Sequence, residues 1–297
     1  MNFKKSLLAI IAVISFNVAC AQSPERMFPY PEPPEELVSL GERTSYLVEH
    51  FWERCRLPES INFRAEFETA FTDYVSFMPY ADADVVHKSI ANLIEKFNKD
   101  PEKLLTLAEI AEKTLYLPDG EFLSDEVYLP FAKAVADHKK IKKDRKAHYV
   151  EQVNVLSCTQ VGMPVPEIEF TRADGTKGKL SELTGAYTLI LFMTPDCDDC
   201  YMTRLRLSAD ANVNALIEKG SINVVCIATC NPDDEWRKSV ENYNKRWTVG
   251  AAPDVAKRFD MRNPPVFYYL SPDHKIMSKT LVIDGLLEAF RRANQQQ

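Results

Sequence analysis

From about residue 46 onward the apolar positions of this chain recur three and four apart, the spacing that lines one side of a helix. Tyr46, Leu47, Val48, Phe51 and Trp52 make a first stripe. Phe63, Phe67, Phe71, Tyr74, Val75 and Met78 make a second, and Val85, Val86, Ile90, Leu93, Ile94 and Phe97 a third. Asp100 followed by Pro101 is a capping residue ahead of a proline at the first helical position. It opens a fourth stripe through Leu104, Leu105, Leu107, Ile110, Leu115 and Leu117 that Pro118 closes. Ser124, with Asp125 and Glu126 behind it, starts a fifth through Val127, Phe131 and Val135, and helix is expected to run on to about Val155. Ahead of all five, the prolines of Phe28-Pro-Tyr-Pro-Glu-Pro-Pro34 favour an extended arm. The pattern predicts a small all-α domain. Its aromatic residues read as core and Cys55 as a buried thiol. His50, His87, His138 and His148 stand singly and read as packing or surface residues, and the basic run Lys139–Lys146 as a solvated helical face.

Near Cys158-Thr-Gln-Val-Gly-Met-Pro-Val-Pro166 the texture changes. Glu167 to Thr171 alternates as a short strand, Asp174-Gly175 makes a turn, and the unbroken apolar run Tyr187–Met193 reads as a fully buried strand. From Asp198 to Lys219 there is no Pro or Gly, which predicts one helix through Met202, Leu205, Leu207, Val213, Leu216 and Ile217 until Gly220 ends it. A strand follows at Ile222–Ala228, a helix at Asp233–Trp247 and a short helix at Pro253–Phe259. Val266–Leu270 and Lys275–Val282 form a hairpin across Pro272-Asp273, and Asp284–Ala293 is a closing amphipathic helix. Strands alternating with helices predict an α/β unit with a mixed sheet over residues 158–297, preceded by the helical domain at residues 22–157.

Composition adds bounds to this picture. Hydrophobic residues are 45% and charged residues 27% of a 297-residue chain, which leaves ample core for two domains. A formal net charge of −7 argues against a nucleic-acid partner. Residues 22–157 carry 17 Lys and Arg against 25 Asp and Glu, and residues 158–297 carry 17 against 18, so the acidity belongs to the helical half. Before it, Lys4 and Lys5 precede an apolar run from Leu7 to Ala19 that is too short to span a bilayer. Residues 1–21 therefore read as a signal peptide, and the protein is expected in the periplasm or cell envelope. Ala19-Cys20-Ala21 fits cleavage before Gln22. Val18-Ala19-Cys20 also resembles a lipobox, though Asn17 stands where an aliphatic residue is usual, and lipidation of Cys20 would be the chain's one membrane contact.

Export gives weight to the seven cysteines, because disulfides persist outside the cytosol. Cys197 and Cys200 lie between the Tyr187–Met193 strand and the helix that follows it. A cysteine at the first turn of a helix faces unpaired N–H groups and the positive end of the helix dipole, and both favour the thiolate. Cys197 is thus the expected nucleophile. Cys200, one turn further on, is placed to attack a mixed disulfide on Cys197 and resolve it. A zinc knuckle and a plain structural disulfide are the alternatives. Zinc asks for a second ligand pair, whereas none of the five histidines pairs with another at ligand spacing and Cys226 and Cys230 are four apart on an apolar strand. No metal and no cofactor is called for. Asp196, Asp198 and Asp199 crowd the nucleophile with no Lys or His in the motif to offset them, which disfavours a thiolate and points away from a strong oxidant.

The order strand, Cys-x-x-Cys, helix resembles the thioredoxin fold. Residues 160–297 closely resemble its TlpA/ResA-type extracytoplasmic branch, through Val161-Gly162 and Pro166, the Asp174-Gly175 hairpin with Leu180-Ser-Glu-Leu183, and the cysteine pair. The family's cis-proline is matched by Asn263-Pro264-Pro265-Val266-Phe267, which implies Pro265 as the cis residue and, with Pro264, a turn whose backbone pairs with a substrate polypeptide. The family's parallel strands would bring Cys230 out at the same sheet edge as Cys197. The N-terminal region is similar to a helical domain of unknown function found ahead of thioredoxin-like domains in exported proteins, through its Phe28-Pro-Tyr-Pro start and Tyr46-Leu-Val-Glu-His-Phe-Trp52. Two departures stand out: Asp196 replaces the usual aromatic residue, and Leu191 replaces the buried acid of thioredoxin. Thr194-Pro-Asp-Cys197 mimics the peroxiredoxin Thr-x-x-Cys, but Ile190 stands where that family has proline, and a nearby resolving Cys200 suits dithiol exchange. The resemblance implies a thioredoxin-like α/β fold with a mixed central sheet behind a small all-α domain. It also implies an exported thiol–disulfide oxidoreductase, of reductase or isomerase type, that acts on protein disulfides and draws on an electron donor of the membrane or periplasm. The alternative is a non-catalytic cell-envelope binding or assembly module with a structural or vestigial cysteine pair.

Overall fold

The computed structural model describes residues 28–279 and 282–295, so the segment read as a signal peptide and the Cys20 processing site lie outside the described residues. Six helices come first: α1 Leu40–His50, α2 Arg64–Phe77, α3 Ala83–Phe97, α4 Pro101–Leu115, α5 Asp125–Asp137 and α6 Lys143–Cys158. Their starts are set by local chemistry. Ser39 and Glu42 close a reciprocal capping box on α1. The carboxylates of Asp82 and Asp100 accept two backbone N–H groups each at the heads of α3 and α4, and the Ser124 hydroxyl accepts from the Val127 N–H at the head of α5. The stripes meet in one core that includes Phe51, Trp52, Phe67, Phe71, Tyr74, Leu107 and Phe131, with Trp52 stacked on Phe67 at 5.2 Å. Phe63 does not join it and is exposed, and Cys55 is only half buried.

Helix does not run unbroken to Val155. His138 and Lys142 adopt extended backbone, so the chain leaves α5 and re-enters at α6. Ile141 drops into the core between them, which a continuous helix would not permit. The Lys146 ammonium donates to the carbonyls of Ala136 and His138 and satisfies the end of α5. Part of the basic run is therefore a capping device rather than a solvated helical face.

The second unit is a seven-stranded sheet with β1 Glu169–Thr171, β2 Lys177–Lys179, β3 Tyr187–Met193, β4 Ile222–Ala228, β5 Thr248–Ala251, β6 Val266–Leu270 and β7 Ile276–Lys279. Helices α7 Asp198–Ala209, α8 Ala211–Glu218, α9 Asp234–Ser239 and α10 Ile283–Gln295 complete it. The order is β2-β1-β5-β4-β3-β6-β7, with β3, β4 and β5 parallel and the remaining neighbours antiparallel. This is the mixed-sheet, thioredoxin-like α/β fold expected behind a helical domain. Strand β3 is central, and its alternating side chains serve two cores. Ile190 and Phe192 pack with Val225, Phe259 and Tyr268 on one face, and Leu189 and Leu191 with Val224, Phe267, Leu207 and Leu286 on the other.

Three elements differ from the expectation. The helix expected over Asp198–Lys219 is two helices, because Asp210 takes extended backbone and its carboxylate caps Asn212 and Val213 N–H groups to start α8. The helix expected to reach Trp247 stops at Ser239. One continuous helix would put Trp236 and Trp247 on the same side, whereas they are buried in separate clusters. Strand β5 was absent from the pattern. It contains Gly250, where a Cβ would lie 2.3 Å from the Phe170 ring, so the residue that weakens its strand signature is the one that lets Phe170 pack.

The two units are joined by a buried ion cluster. Asp125, the first residue of α5, receives the Arg262 guanidinium at 2.7 Å and the Lys279 ammonium at 2.9 Å. Arg262 also pairs with Asp260, donates to the carbonyl of Tyr116, and lies 3.1 Å over the centre of the Tyr116 ring. The Asp125 carboxylate thus ties the helical domain to both the end of β7 and the Asp260–Arg262 loop that leads to Pro264 and Pro265.

Candidate redox site

Strand β3 ends at Met193 and empties into the turn Thr194–Asp196, where Asp196 adopts a left-handed φ of 54°. Asp is among the few non-glycine residues that take this conformation readily, which accounts for a tight exit directly before the cysteine. Cys197 is the N-cap of α7, and its sulfur accepts the Cys200 backbone N–H at 3.0 Å. Cys197 and Cys200 form a disulfide with their Cα atoms 5.2 Å apart. Cys197 is half buried and Cys200 fully buried, so an attacking group reaches the first sulfur. The Thr194 hydroxyl lies 4.0 Å from the Cys200 sulfur.

The structure brings the two prolines to the same place. Phe192 is opposite Val266 in the β3–β6 register, so Pro264 and Pro265 sit alongside the turn that carries Cys197. The Pro264–Pro265 peptide is cis. A second cis peptide, Leu57–Pro58, lies in the helical domain. Pro265 and the first two turns of α7, at Asp199, Met202 and Thr203, line a cavity of about 600 Å³ whose far side is Leu123–Glu126 of the helical domain.

The electrostatics hold one cation that the motif itself does not. Asp196, Asp198 and Asp199 are all exposed. Arg204, one turn past Cys200, is 7% exposed, has no ion pair among the described residues, and leaves its Nε without a hydrogen-bond partner. Its guanidinium lies between Tyr243, at 4.2 Å from the ring centre, and Tyr201, at 5.1 Å. The motif itself holds no cation, as expected, and Arg204 is the buried cation that follows it on α7. Its signal was present, since Cys200, Thr203, Arg204 and Leu207 follow the three-and-four spacing of a buried face.

Cys226 and Cys230 lie on the other side of the turn. The β3–β4 register pairs Met193 with Ala228, and Thr229 donates to the Met193 carbonyl, so Cys230 does emerge at the same sheet edge as Cys197. Burial, followed by Asp233, raises its thiol pKa. Cys226 is pushed up to about 12 by burial, with Arg204 opposing, and its sulfur rests 3.3 Å from that of Met193. Both thiols are held protonated at neutral pH and are poor nucleophiles there.

The sequence profile of a family described as "Domain of unknown function (DUF5106)" matches residues 8–158. No curated protein matches the sequence. Among solved structures, a thioredoxin-like protein from Bacteroides caccae is similar with a TM-score of 0.79, at 22% identity, over 89% of this chain and 98% of that one. That likeness in fold spans both units. The C-terminal domain of an uncharacterized protein from Bacteroides fragilis is similar with a TM-score of 0.42, at 23% identity, over 45% of this chain and 98% of that one. The thioredoxin domain of a thiol-disulfide oxidoreductase from Bacteroides vulgatus has a TM-score of 0.40, at 21% identity, over 45% of this chain and 97% of that one.

Proposed function

Because this chain belongs to the DUF5106 family of unknown function and joins that domain to a thioredoxin-like unit, we propose that it is an exported thiol–disulfide oxidoreductase acting on protein disulfides. One observation carries the reading: the Cys197 sulfur caps α7 and is reachable, while Cys200 behind it is fully buried. In the reduced protein the same Cys200 N–H and the helix dipole favour a thiolate on Cys197. That thiolate attacks one sulfur of a substrate disulfide, and the other substrate sulfur leaves as a thiolate that takes a proton from water. The Cys200 thiol then loses its proton and attacks the Cys197 sulfur, which re-forms the disulfide and releases the second substrate thiol. Two electrons pass to the substrate. A donor of the membrane or periplasm must return them, and Pro264 and Pro265 present the backbone against which the substrate chain lies.

The direction we propose is reductase or isomerase. Three exposed aspartates around Cys197 oppose a thiolate, which supports a couple nearer the roughly −270 mV of thioredoxin than the roughly −120 mV of DsbA. Export is proposed from Lys4, Lys5 and the Leu7–Ala19 run, with Cys20 as the alternative lipid anchor.

The test is trapping with single-thiol variants. Cys200→Ser should accumulate mixed disulfides with insulin or with disulfide-bonded envelope proteins, and Cys197→Ser should accumulate none. Equal trapping by both variants, or by neither, removes the assignment.

A further inference from the structure

We propose that the groove between the two domains seats the substrate polypeptide, and that the segment leading into α5 is the wall that selects it. The favoured chain is extended and carries an apolar and a basic side chain beside its cystine. This rests on the oxidoreductase reading for the presence of the cystine, but the surface that recognises the flanking residues is visible without it.

The groove of about 600 Å³ is of a size that encloses a short stretch of ligand rather than a solvent channel. Its rim gathers exposed apolar side chains from separate parts of the chain: Leu123, Val161, Met202, Met277 and Val282. Single exposed apolar residues are ordinary, whereas five around one cavity form a patch that water does not favour. Two of them are methionines, whose flexible thioethers adapt to differing side chains.

The charges at the groove divide into spent and unspent. On its floor Asp125, Asp260, Arg262 and Lys279 are paired with one another, and at its edge Arg206 is tied to Asp284. The acids at its mouth are Glu126 and Asp199, both exposed and without an ion pair among the described residues. The charge offered to an incoming chain is therefore negative, which attracts a basic residue and repels an acidic one. Leu123 and Glu126 flank Asp125, so the same carboxylate that takes Arg262 and Lys279 holds this wall opposite Pro265 before any substrate arrives. Pre-organisation of that kind lowers the ordering cost of binding.

The experiment uses the full, oxidised protein and fluorescent linear nonapeptides with Ser in place of the central Cys, flanked by Leu and Lys, or by Leu and Glu. Fluorescence anisotropy should show the Lys peptide binding about fivefold tighter than the Glu peptide at low salt, a margin that shrinks as salt rises. Glu126→Lys should erase or reverse the preference, and Leu123→Asp should weaken both peptides about tenfold. Both positions are exposed, and unchanged circular dichroism checks the fold. Equal affinity for the two peptides, or affinities untouched by both substitutions, overturns the groove. Exchange with glutathione disulfide separates the two levels. Exchange without peptide discrimination sinks the groove and leaves the oxidoreductase, whereas discrimination without exchange sinks the oxidoreductase and leaves a polypeptide-binding groove.

Discussion

At the scale of single residues the site is governed by Cys197 and by Arg204. A buried guanidinium with no carboxylate partner is costly, and aromatic faces recover only part of its lost hydration. Reduction of the Cys197–Cys200 disulfide creates, two turns earlier at the start of the same helix, a thiolate whose charge is opposite to that of Arg204. Arg204→Met should therefore raise the pKa of Cys197 and shift the couple to a more negative potential, on the order of 30 mV. Iodoacetamide alkylation against pH and equilibration against glutathione read the two quantities. A loss of stability with both quantities unmoved would show that Arg204 only packs against Tyr201 and Tyr243. Burial keeps Cys226 and Cys55 protonated, at about 12 and about 11, and the measurement is made with Cys158 and Cys230 replaced by Ser because those two thiols are accessible.

At the scale of elements, caps decide where helices begin and break. Asp210 divides what would otherwise be one long helix, and this lets α8 turn back along the sheet while α7 keeps Cys197 at its N-terminus. Asp210→Ala removes two backbone acceptor bonds and should cost about 1 kcal/mol in urea unfolding, with little effect on thiol exchange. A large loss of exchange would mean that the break itself positions the cysteines. Other elements explain themselves in the same way. The local signals at Asp100-Pro101 and Ser124 were sufficient to place the starts of α4 and α5, because a cap acts within four residues of itself.

At the scale of the whole molecule, Asp125 is the joint. It serves Arg262 and Lys279 with only 7% of its side chain exposed, so its loss deprives two inward-facing cations of a shared partner. Asp125→Ala should destabilise the protein by about 3 kcal/mol, and denaturant unfolding should change from one transition to two as the helical domain uncouples. A single transition at the wild-type midpoint would show that the domains are held by other contacts. The Pro264–Pro265 turn is fastened through Arg262, three residues before Pro265, so the helical domain also holds one side of the candidate site.

What the sequence determined by itself is everything that acts over a turn or a strand. The helical stripes, the caps, the buried run Tyr187–Met193 and the placement of Cys197 at a helix start all follow from interactions between residues a few positions apart. The thioredoxin-like order and the Cys197–Cys200 and Pro264–Pro265 motifs were legible for the same reason. Tertiary structure decided what depends on partners distant in the chain. Whether helix α5 ran on past His138 depended on a place for Ile141 in the core, and whether Thr248–Ala251 was a strand depended on Phe170 packing over Gly250. Asp125 became the joint, and Glu126 the wall of a groove, only because Arg262 and Lys279, more than 130 residues later, fold back against α5. Periodicity records which side of an element is buried. It does not record what lies on the other side of the interface, and the charge of Arg204, the bond to Asp125 and the groove are all properties of that second surface.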